Sequence, residues 1–94
     1  MRLLEQEVSN LKLTLKRLSD DAQLYLFGSR VDDEKKGGDI DLLIISEELT
    51  QRDLRVLRIE FFKQFGEQKI DIVLDDGSFS HPFTKLIFKG AVRL

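Results

Sequence analysis

Two short apolar runs, separated by one amphipathic stretch, restrict the folds open to this chain more than any other feature. From Asp39 to Ser46, Ile40, Leu42 and Ile44 alternate with Asp39, Asp41, Leu43 and Ile45, the period of a strand with two unlike faces. From Lys69 to Leu74 a second run, Ile70-Asp71-Ile72-Val73, reads as another strand. Between them Thr50, with Asp53 three residues on, opens a helix as a capping box does. Leu54, Leu57, Phe61 and Phe65 then form one apolar stripe with Phe62 beside it, and Gly66 ends the helix. A strand, a helix and a strand joined this tightly predict a right-handed crossover with the two strands parallel, which sets Asp41 and Asp71 side by side.

The remainder of the chain fits around that unit. Leu4, Val8, Leu11, Leu15 and Leu18 recur at spacings of four and three, which predicts an amphipathic helix within residues 1–20. The stripe is too short for a coiled-coil seam and is expected to pack on the sheet. Gln23-Leu24-Tyr25-Leu26-Phe27, halted by Gly28, reads as a strand feeding a tight turn and pairs most simply antiparallel to the next one. Arg30 to Gly38 reads as an exposed loop or an irregular short helix. Asp75-Asp76-Gly77 is a turn, Pro82 suits a first helical position, and Gly90 is placed to end a short last helix. The expected fold is α/β, a small mixed sheet of about three strands flanked by helices. With 94 residues, the chain is expected to be a single domain with one core and no separate substrate domain.

Composition narrows the chemistry. A charged fraction of 34% and the lack of a long apolar run argue against membrane residence, and early acidic residues argue against a signal peptide, so a cytoplasmic protein is expected. Without cysteine, and with His81 the single histidine, neither a thiolate nor an imidazole metal site can be built. Any metal must then be held by oxygen, which favours magnesium, with manganese as the alternative. A net charge of -2 gives no long-range attraction for a nucleic acid, making such a polymer a poor first guess for a partner.

Gly28-Ser29 and the aspartates together suggest what that metal would do. Asp39 and Asp41 project from one face about 6.8 Å apart, at a rise of roughly 3.4 Å per residue. Two carboxylates so placed can share two divalent ions roughly 3.5 to 4 Å apart, the geometry of in-line displacement at phosphorus. Asp71 would complete the shell of the nucleophile-side ion or orient the attacking hydroxyl. A carboxylate inside an apolar strand is costly unless it is bound to a metal or paired, and Lys69 or an arginine is the structural alternative. Gly28 lets backbone N–H groups approach a phosphate, Ser29 adds a hydroxyl, and Arg30 is within reach of the same phosphates.

In this order the segments Leu26-Phe27-Gly28-Ser29-Arg30, Gly38-Asp39-Ile40-Asp41-Leu42-Leu43-Ile44 and Lys69-Ile70-Asp71-Ile72-Val73 resemble the minimal nucleotidyltransferases of the DNA polymerase beta superfamily. The resemblance implies a polymerase-beta-like core and a triphosphate, ATP or another, gripped at Gly28 and Ser29. It further implies two magnesium ions on Asp39 and Asp41, with Asp71 as the third carboxylate. It implies an antitoxin role beside an all-helical HEPN-domain toxin, and transfer of AMP to a tyrosine of that partner. The nine residues between Ser29 and Asp39 are one fewer than is common in the family, with Gly37 and Gly38 able to adjust the approach.

Two functions follow from these readings. One is magnesium-dependent AMP transfer to a protein hydroxyl; the other is stoichiometric docking onto a helical partner without chemistry. A homo-oligomer is compatible with either, whereas an antibiotic-modifying enzyme would need a substrate domain. His81 is expected at a helix entry, and Asp75 and Asp76 as turn formers. Lys35 and Lys36 are read as solvated charge and Phe61, Phe62 and Phe65 as core, with Phe62 or Phe79 joining a partner surface if exposed.

Overall fold

The computed structural model describes residues 3–31 and 38–94. In chain order the elements are α1 (Glu5–Leu18), β1 (Gln23–Phe27), a 3-10 turn (Gly28–Val31), β2 (Ile40–Ile45), α2 (Gln51–Phe65), β3 (Ile70–Asp75), α3 (Pro82–Phe88) and β4 (Val92–Arg93). They form a mixed α/β fold with a four-stranded sheet in the order β3-β2-β1-β4. β2 and β3 are parallel across the α2 crossover, while β1 is antiparallel to both β2 and β4. The expected number of strands was about three. β4 is the addition, a two-residue strand beyond Gly90 that is too short to show alternation.

Each helix boundary has a local cause. Asp53 accepts hydrogen bonds from the Thr50 backbone N–H (2.9 Å) and hydroxyl (3.1 Å), fixing the start of α2. Gly66 ends it at φ 85°, a conformation that other residues resist. His81 caps α3, its Nδ1 accepting from the Phe83 N–H at 3.1 Å, and Pro82 takes the first turn, where no N–H is needed. Leu4 is not part of the buried stripe of α1: it lies at the N-cap, largely exposed, and its N–H donates to Glu7.

The sheet separates two unlike layers. Leu24, Leu26, Ile40, Leu42, Ile44 and Ile70 join Leu11 and Leu15 of α1 and Leu54, Leu57 and Phe61 of α2 in the main core. Asn10 ties the two helices, donating to Gln64 Oε1 (2.9 Å) and the Glu60 carbonyl (3.3 Å). Strand alternation sends Tyr25, Phe27, Asp41, Leu43, Asp71, Val73 and Asp75 to the opposite face. There α3 covers one end: Phe88 meets Tyr25 edge-on at 5.2 Å, and Thr84 donates to Asp75 at 3.0 Å. Leu43 is fully buried. Among the described residues, no helix is long and apolar enough to cross a membrane.

Candidate functional site

The site is built at the end of this second face, where β1 gives way to the 3-10 turn. Parallel register pairs Asp41 with Asp71, and antiparallel register pairs Phe27 with Asp41, so the two carboxylates occupy neighbouring strands next to Gly28. Asp39 comes just before β2, and the Ile40 N–H donates to the Lys69 carbonyl at 3.1 Å, which sets Asp39 beside Lys69. The crossover thus brings together residues that are far apart in sequence.

Gly28 is required here for two separate reasons. Its φ of 80° is a conformation that residues with a side chain rarely adopt. In addition, a Cβ built at this position would collide with the Asp41 carboxylate oxygen. Backbone and carboxylate are therefore in direct apposition, and a group held against this turn also meets Asp41. Ser29 lies in the 3-10 turn by backbone; its side chain is outside the described set, as are Lys35, Lys36 and Gly37. Arg30 points across the loop mouth, its guanidinium donating to the carbonyls of Gly38 (3.0 Å) and Asp39 (3.3 Å). It ties the turn after β1 to the residues just before β2, a role that residue type alone did not reveal.

Electrostatics mark the same residues. Burial pushes the Asp41 carboxyl above the ordinary aspartate range, and the charges of Asp71 and Asp39 add to this, while Lys69 pulls the other way. Lys69 pairs with Asp39, Nζ to Oδ2 at 3.4 Å. Asp71 differs from expectation. It is exposed rather than buried among its apolar neighbours, because β3 is an edge strand and α3 covers the far end of that face. The cost of a buried charge therefore does not apply to it, and the Lys69 ion pair goes to Asp39 instead.

The expected three-carboxylate metal set is not assembled as a cage. Among the described residues no three acidic or imidazole side chains are grouped closely enough to hold an ion. Asp39 is engaged by Lys69, so its carboxylate would have to leave that pair to join Asp41 and Asp71. The donor set itself fits a hard divalent cation: it is all oxygen, and its mutual repulsion would be relieved by such an ion.

The remaining polar residues have structural work. Asp75 is buried and accepts from the Gly77 N–H (2.7 Å), the Phe79 N–H (3.3 Å) and Thr84, organising the turn as expected. The Ser78 side chain and its N–H, the latter donating to Asp76 at 2.9 Å, lower the Asp76 pKa. Phe79 is half-buried against Phe88, with ring centroids 4.8 Å apart, and Phe62 packs on the core. The exposed aromatics are instead Phe83 and Phe88 of α3.

Residues 8–93 match the family model described as "Nucleotidyltransferase domain". No curated protein matches the chain.

Proposed function

The chain belongs to the nucleotidyltransferase domain family, and from that membership we propose that it moves AMP from ATP onto the hydroxyl of a tyrosine of a partner protein, the α–β phosphate bond breaking as pyrophosphate leaves. In this reading the partner is a helical HEPN-type toxin in the cytoplasm, and the chain is its antitoxin. The observation that carries the reading is the apposition of the Gly28 backbone and the Asp41 carboxylate, with Asp71 in register beside it. The triphosphate would lie against the turn of Gly28 and Ser29, which Arg30 ties to the residues just before β2. Asp39, Asp41 and Asp71 would hold magnesium. When bound, that ion supplies charge neutralisation at the triphosphate and acidifies the attacking hydroxyl. Asp71, exposed at the sheet edge, is the carboxylate an incoming hydroxyl on another protein reaches most directly.

A second reading is docking without chemistry. It is favoured by apolar residues left exposed on the helices, Leu13 of α1 at 66% and Leu86 of α3 at 67%. One experiment separates the two. The protein is incubated with labelled ATP, magnesium and a HEPN-type helical protein as the candidate partner, and the intact mass of that partner is measured. Catalysis is expected to add one or more AMP units, abolished by Asp39→Ala and Asp41→Ala. A tight complex with no added mass, indifferent to both substitutions, would establish docking instead.

A further inference from the structure

Among the described residues, Lys69 is a cation that meets the carboxylate row. The β2–β3 register, continued one step before the ladder, sets it beside Asp39, and its ammonium reaches the Asp39 carboxylate at 3.4 Å. Both side chains are well exposed, at 67% and 48%. An exposed pair of this kind adds little to the stability of a fold, so it breaks readily. A lysine is suited to changing partners: its charge is compact, its four-carbon stem is flexible, and its three donors are free to rotate. The same ammonium opposes the repulsion that Asp71 and Asp39 impose on Asp41.

Two incoming groups compete for this arrangement. A divalent cation needs the oxygens of Asp39 and Asp41, and it repels an ammonium already seated there. A triphosphate brings several negative charges to the adjacent turn and attracts that same ammonium. We propose that Lys69 holds Asp39 before a divalent cation binds and passes to the triphosphate once Asp39 turns to the cation. This rests on the reading of Asp39, Asp41 and Asp71 as metal ligands. Lys69 is on this account a substrate-binding and positioning residue, with opposite effects on the two ligands.

Those opposite effects make the test. Mn2+ binding in the absence of nucleotide is followed by the loss of its free-ion paramagnetic resonance signal. Binding of a non-hydrolysable ATP analogue in saturating Mn2+ is followed by calorimetry. Lys69→Met is expected to bind Mn2+ about threefold more tightly, since a weak competing pair is gone, and the analogue about tenfold more weakly, since a charge-assisted contact is lost. Lys69→Arg keeps the charge and is expected to stay near the parent in both. Lys63→Met, which removes the exposed partner of Glu60 on α2, is expected to change neither. Unchanged Mn2+ affinity in Lys69→Met, or movement of both affinities in one direction, would overturn the role of Lys69 while Asp41-dependent Mn2+ binding keeps the metal reading intact. Mn2+ binding that Asp41→Asn does not weaken would overturn both.

Discussion

At the scale of single residues, the raised pKa of Asp41 ties the site to stability. The carboxyl holds its proton more tightly folded than unfolded, so this contribution to stability is full below the unfolded value and is lost as pH rises through the elevated folded one. At neutral pH the ionised carboxylate therefore opposes folding. In a chelating buffer at pH 7, Asp41→Asn is expected to be more stable than the parent by about 0.5 kcal/mol after solvent screening. That corresponds to a rise in Tm of about 2–4 °C for a domain of this size. The gain is expected to fade as pH falls through the elevated folded value and to be gone below the ordinary aspartate value of 3.8. Thermal melts across a pH series check this, and a lower Tm for Asp41→Asn at pH 7 would contradict it. The pairing of Asp41 and Asp71 could be read from the sequence, because alternation and the handedness of a crossover are local rules with long-range consequences. The exposure of Asp71 could not, since Ile70, Ile72 and Val73 look the same in an edge strand as in a central one. Likewise the Lys69 contact with Asp39 appears only once the register is known.

At the scale of elements, the segment after β3 depends on one buried carboxylate. Asp75 accepts from two backbone N–H groups and the Thr84 hydroxyl, joining the end of a strand to the helix that lies over the sheet. Phe79, within the same segment, has a positive φ of 53°, uncommon for a residue with a side chain. Removing the acceptor leaves the Gly77 and Phe79 N–H groups without this partner, while Thr84 keeps the His81 carbonyl, so Asp75→Ala is expected to cost about 2–3 kcal/mol. Urea denaturation measures this; a change below about 0.5 kcal/mol, as for an ordinary surface position, would show that the turn is held by other means. Helix limits were legible because Thr50 with Asp53, Gly66, His81 and Pro82 are caps and stops whose chemistry lies within a few residues. β4 was not, since two residues carry no period and its partners, Tyr25 and Leu26, lie far back in the sequence.

At the scale of the whole molecule, the sheet is anchored at its centre and light at one margin. Leu42, Leu43 and Ile44 of β2 are fully buried, with β1 on one side and β3 on the other, whereas β4 contributes only Val92 and Arg93 and both are exposed. Native-state hydrogen exchange is expected to show the β2 amides opening only with global unfolding and those of β4 opening at much lower free energy. Comparable protection in the two strands would mean that the margin is held more firmly than its contacts suggest. The crossover has a further consequence for how the molecule comes into being. Asp71 follows Asp41 by 30 residues, with α2 between them, so the strand that carries it pairs with β2 only once that stretch has been made. On the ribosome, a chain that has emerged as far as Asp41 has its glycine turn and two of its three carboxylates but lacks the third. The acidic row is completed only when the second parallel strand is delivered, so in a nascent chain it closes late.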